Sequence, residues 1–172
     1  MWLGLSLFYV GAVLCLNGLW MLGRIADREI WVINVFAGLV SLIIGLASAF
    51  GLEPDAASVK TGALTLLFAF TYLWVAINRF SGADGRGLGW FSLFVAITAV
   101  PVAIDTLIGA RTAIDWWMGA NWAAWAVLWA LFFVLLGLGR PIGRVTGALC
   151  IVQGVFTGWL PGYLLLAGQL HN

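Results

Sequence analysis

Six long stretches of this chain carry no charged residue, and no other feature limits its folding so tightly. They cover residues 1–23, 30–52, 61–78, 87–104, 116–139 and 145–170, and each is close to the roughly 17–25 residues that a helix needs to cross a hydrocarbon core. Of the 172 residues, 63% are hydrophobic and only 9% charged, whereas a soluble domain has roughly one quarter charged. The expectation is an all-α membrane protein of six transmembrane helices, a single domain over residues 1–172. The first stretch has no basic residue ahead of it and no small-residue cleavage pattern behind it, so it reads as a retained helix. The connections are too short to hold a soluble catalytic or sensory module.

Basic residues set the expected orientation. Connections one, three and five hold Arg24 and Arg28, Arg79 and Arg86, and Arg140 and Arg144, while connections two and four hold only Lys60 and Arg111. The positive-inside rule then places the odd connections in the cytoplasm and both termini outside. A net charge of +1 argues against nucleic acid as a partner. Cys15 and Cys150 lie within spans, where apolar surroundings suppress thiol reactivity. No metal or cofactor is expected, because His171 is the only histidine and no metal-ligand set can be assembled.

The stretch "NWAAWAVLWALFF" raises the sharpest question, since it holds Trp122, Trp125 and Trp129 at membrane depth. Trp2, Trp20, Trp31, Trp90, Trp116, Trp117 and Trp159 sit toward span ends, where an interfacial aromatic belt accounts for them. At about 100° per residue the three deeper indoles fall within an arc of roughly 60°, a stripe on one helix face. Packing against a neighbouring helix is one meaning of such a stripe. The indole N–H groups favour another, because a buried donor without a partner costs roughly 1–3 kcal/mol and calls for polar groups, water or a solute.

The polar residues available at depth are uncharged. Helix three offers Thr65, Thr71 and Tyr72; helix six offers Gln153 and Thr157, four residues apart and so on one face; Asn17, Asn34, Asn78 and Asn121 lie nearer span ends. Singly, each is explained by interhelical hydrogen bonding. Together they exclude the ionisable mid-span residues that proton pumps and ion-coupled carriers require. They also leave no base to activate a Ser or Cys, so an enzyme is not expected. Gly154, Gly158 and Gly162 repeat at intervals of four, which implies close helix packing within or between protomers. Pro101 and Pro161 should kink helices four and six and free carbonyl groups. A wall of indole, phenyl, aliphatic and neutral hydrogen-bonding groups suits a small, flat, neutral, polar solute such as urea or a short amide.

The stretches "LFYVGAVLCLNG", "INVFAGLVSLI", "GALTLLFAFTYLWVAIN", "GWFSLFVAITAVPVAI", "WAAWAVLWALFF" and "TGWLPGYLLL" resemble the AmiS/UreI family of urea channels and short-chain amide transporters. The resemblance implies three helical hairpins around a pore in each protomer, a hexameric ring with lipid in its central hole, and a place in the bacterial inner membrane beside a cytoplasmic amidase or urease. It assigns a pore lining to Trp122, Trp125, Trp129 and Leu128 of helix five, to Phe68 and Tyr72 of helix three, and to Leu3, Leu7, Val10 and Leu14 of helix one. Gln153 and Thr157 are expected to offer hydrogen bonds between the aromatic collars. Two departures count against acid gating: Gln153 stands where the urea-channel branch has a Glu, and the outer connections hold no histidine. The expected function is an ungated or weakly gated passive channel for urea and short aliphatic amides, leaning toward amides. A gradient-coupled amide carrier and a non-transporting scaffold for a cytoplasmic enzyme are the alternatives.

Overall fold

The computed structural model describes residues 1–170, so His171 lies outside the described residues. A backbone in hydrocarbon has no water to bond, and a helix satisfies each N–H and C=O within its own segment. Six helices of membrane length and composition result. They are α1 (Trp2–Met21), α2 (Ile30–Phe50), α3 (Ala56–Ser81), α4 (Arg86–Gly109) and α5 (Ala113–Phe132), which runs on into a π-helical segment, Phe133–Gly137. The sixth span is α6 (Gly143–Gln153), a second π-helical segment (Gly154–Trp159) and α7 (Leu160–Leu166). No strand occurs among the described residues.

The helices overrun the charge-free stretches where the sequence supplies caps. Asp55 and Ser58 form a reciprocal capping box that starts α3 before Lys60, and Thr112 with Asp115 does the same for α5. Between α3 and α4, Gly82 and Gly85 take left-handed backbone conformations, φ 70° and 84°, which only a residue without a Cβ adopts freely.

The helices pack chiefly in three pairs: α2 along α3, α4 along α5, and α1 along the sixth span. The first two pairs are sequential hairpins; the third joins the two ends of the chain. Lipid gives helices no hydrophobic reason to associate, so contact depends on close packing and buried polar bonds. The α1 pair is built on glycine. A Cβ at Gly11 would lie 2.1 Å from Trp159 N, one at Gly18 would lie 2.5 Å from Gly147 O, and one at Gly158 would lie 2.4 Å from Gly11 N. The glycine stripe of the sixth span therefore packs within the protomer. Asn17 and Asn34 join α1 to α2 by exchanging hydrogen bonds of 3.1 and 2.7 Å, and Asn34 Nδ2 also donates to Ile30 O. Outward faces carry Phe36, Ile43, Phe94, Ile97 and Phe156, apolar side chains that suit a lipid surface.

Candidate functional site: a string of neutral cavities

Each of α1, α3 and α5 repeats a spacing of three and four residues that turns one stripe inward. The stripes enclose two adjoining cavities. Leu3, Ser6, Leu7 and Val10 of α1, Thr61, Leu64, Thr65 and Phe68 of α3, and Met118, Trp122 and Trp125 of α5 line the first. The second is lined by Leu14, Asn17 and Trp20, by Phe68, Thr71, Tyr72 and Val75, by Leu88 and Ser92 of α4, and by Trp125, Leu128, Trp129 and Phe132. Phe68 and Trp125 belong to both, so they form the partition where the cavities meet. A third cavity shares Trp20, Val75, Leu88 and Phe132 with the second and continues to Asn78, Arg79, Leu135 and Leu136.

Phe68 is the hub of the partition. Its ring centroid lies 4.9 Å from Trp125, 4.8 Å from Trp129 and 5.8 Å from Trp122, all edge-on, while Trp122 and Trp125 meet at 5.2 Å. Edge-to-face pairs set the positive rim of one ring on the negative face of the next, each worth about 0.5–1.5 kcal/mol beyond its area. A cluster of four such contacts fixes its rings against one another.

The polar groups divide by role. Thr65, Thr71 and Ser92 donate their hydroxyls to the carbonyls four residues back on their own helices, leaving oxygen lone pairs to accept. Trp125 Nε1 donates to Thr157 Oγ1 at 2.9 Å. Among the described residues, no protein acceptor meets the indole N–H groups of Trp122 and Trp129 or the Tyr72 hydroxyl, and none of these atoms is fully sealed from its surroundings. The first two cavities thus present donors and acceptors without a charge. At the far end, the Arg79 guanidinium lies 5.2 Å over the Trp20 ring, and Trp20 Nε1 donates to Asp27. The cation is held against an indole face there.

Behind Trp125 stands a layer of hydrogen bonds that begins with Pro161. Proline has no N–H, so position 161 can bond neither Thr157 O four residues back, as in an α-turn, nor Phe156 O five residues back, as in a π-turn. Asn121 Nδ2 takes the first at 3.0 Å and Trp117 Nε1 the second at 2.9 Å. Thr157 Oγ1 donates to Gln153 O at 2.6 Å, and Gln153 Nε2 donates to Ala124 O at 2.9 Å. Gln153 Oε1 is the one buried side-chain oxygen or nitrogen without a partner among the described residues.

Ten of the twelve expected site residues line the two cavities. Leu3, Leu7, Val10 and Trp122 lie on one side of the partition, Leu14, Tyr72, Leu128 and Trp129 on the other, and Phe68 and Trp125 in it. Gln153 and Thr157 line neither cavity; the Thr157 hydroxyl and the Gln153 amide nitrogen are bonded to α5 and to their own helix. The freed carbonyls of the sixth span likewise meet side chains of α5 instead of open space, and Trp117 is one of those partners as well as a residue near a span end. Asn17, Ser92 and Ser6 are lining residues beyond the expected set. Extending the α1 rhythm of 3, 7, 10 and 14 by one step reaches Asn17, whereas nothing in the pattern of α4 marks Ser92.

Six membrane-length helices enclosing neutral internal cavities define a multi-pass membrane protein built to hold or pass a small solute. Comparison with known proteins agrees. Residues 2–169 match the model of the AmiS/UreI family transporter. A protein of Mycolicibacterium smegmatis named for transport of amidate substrates is 42% identical over 167 residues, covering 96% of this chain and 77% of that one. The acid-activated urea channel of Helicobacter pylori strain 26695 is 37% identical, covering 95% and 96%. The cryo-EM structure of the Helicobacter pylori urea channel in its closed state superposes with a TM-score of 0.86 at 37% identity, over 98% of this chain and all of that one. The crystal structure of that channel gives 0.86 at 38% identity. This chain belongs to the AmiS/UreI family.

Proposed function

We propose that each protomer is a passive channel for urea and short-chain aliphatic amides, with the string of cavities as its path. The observation that carries this reading is the row of adjoining cavities from Leu3 to Arg79, each sharing lining residues with the next, whose walls hold no charge until that arginine. A planar amide slides its faces along Phe68 and the indoles, offers its carbonyl to Trp122, Trp129 or Tyr72, and gives its N–H groups to Thr65, Thr71 or Ser92. A hydrated ion finds no counter-charge there and would have to shed its water at the Phe68 and Trp125 collar. The selectivity surface is then Leu3, Leu7, Val10, Leu14, Phe68, Tyr72, Trp122, Trp125, Leu128 and Trp129, while Gln153 and Thr157 support it from behind.

The wider setting is part of the same proposal. Apolar outer faces suit a homo-hexamer ringed around lipid, in a bacterial inner membrane with both termini outside. A cytoplasmic amidase or urease would consume the solute that enters. Purified protein in liposomes should speed equilibration of urea and acetamide with no ion gradient imposed. Flux that appears only under a proton or sodium gradient would make the protein a carrier, and no flux under any condition would leave a scaffold.

A further inference from the structure

The three indoles of the α5 stripe differ in what their N–H groups do. Trp122 faces one cavity and Trp129 the other, each with an N–H that no protein acceptor takes among the described residues. Trp125 borders both cavities, and its N–H is held by Thr157 Oγ1. That hydroxyl cannot rotate freely, because its own hydrogen is committed to Gln153 O. Gln153 is in turn fastened to the α5 backbone at Ala124 O, and Asn121 of α5 holds the Thr157 carbonyl. A closed loop of bonds therefore runs from the ring to the sixth span and back to the helix that carries the ring. On its other side the ring leans on Phe68.

Building on the channel reading above, we propose that Thr157 is a specificity-determining positioning residue: it locks the Trp125 ring in the orientation that sets the width of the collar between the two cavities. Locked, the ring passes urea and acetamide edge-on and stops amides with a branched or longer alkyl group. Unlocked, it samples other orientations, and the width limit blurs. The N–H of Trp125 is not available to the solute in either passage, so hydrogen bonding falls to Trp122 and Trp129 on the two sides. Thr157 touches no solute; it acts through the ring.

The test compares liposome flux of acetamide and isobutyramide through the wild-type protein and through Thr157→Val, Thr157→Ala and Thr157→Ser. The acetamide to isobutyramide ratio should fall about fivefold in the Val and Ala variants, the factor that one net hydrogen bond is worth, and stay within twofold of wild type in the Ser variant. Two variants without the hydroxyl are used so that failure of one to insert leaves the other. A folded Val or Ala variant with the wild-type ratio overturns the lock, and so does an equal fall in the Ser variant. Ultraviolet resonance Raman difference spectra of wild type against Thr157→Val should lose the signature of one hydrogen-bonded indole out of the 11 tryptophans; an unchanged spectrum also overturns it. Absence of amide flux in the wild-type protein is a different failure, that of the channel reading, and the Raman comparison still decides whether the bond exists.

Discussion

Helix α5 and the sixth span carry similar raw material and use it in opposite ways. Both set polar or aromatic groups three or four residues apart on one face. The α5 face is turned to the cavities, and its rings meet Phe68 across them. The Gln153 and Thr157 face is turned to α5, and its groups close bonds inside the protein. Equal spacing thus does not mean equal exposure to a solute; the residues on the next stripe decide. In the sixth span that stripe is Gly154, Gly158 and Gly162, which brings α1 into backbone contact and rotates Thr157 toward Trp125.

The largest effect that separates the two helices is expected from Trp125→Ala. Removing the ring merges the two cavities, so discrimination among amides should collapse in liposome flux assays. Truncating a buried aromatic costs about 3–5 kcal/mol, to be read as a lowered unfolding midpoint of assembled protein. Unchanged selectivity in assembled protein would move Trp125 from the collar to packing.

The converse is expected from Gly158→Ala. Its added methyl would lie 2.4 Å from Gly11 N, backbone against helix with no flexible end to give way. Overpacking of this kind costs about 1–3 kcal/mol, so yield and thermal stability should fall while flux ratios per folded protomer stay near wild type. Asn121→Ala should do less of the same: it strands the carbonyl that Pro161 frees, a penalty of about 1–3 kcal/mol that local water would reduce. A shift in amide selectivity larger than the loss of stability would show that Asn121 shapes the passage and not only the fold.

These contrasts explain what was legible in the sequence. The six spans follow from length and charge alone, and the α5 stripe from its spacing together with the lack of mid-span charge. The α1 lining follows the same rhythm, and its glycines fall one position further on at Gly4, Gly11 and Gly18, a second face for a second neighbour. The sixth span was not legible in this way. Its π-helical segment shifts the register of every later residue, and the sequence marks only its end, at Pro161. Whether a carbonyl freed by proline meets a solute or an asparagine depends on Asn121, 36 positions before that carbonyl, which local pattern cannot connect.

The smallest expected effect concerns acid, and it is where this chain should part from the acid-activated channel it resembles. Gating between about pH 5 and 7 calls for a group that titrates there, foremost histidine, and the only one in the chain is His171. In the connection between α2 and α3, the Ser58 backbone N–H donates to Asp55 and holds its carboxyl below the usual range. A carboxylate depressed by folding supports the fold above its unfolded titration range and loses that support only as pH falls through its lower, folded value. The α3 cap is therefore intact throughout the interval in which acid gating would act. Urea and acetamide flux into liposomes should be flat from about pH 7.5 to about pH 5. A several-fold rise on acidification would mean that a group other than the collar controls passage, and replacing His171 by Ala would show whether it is that one.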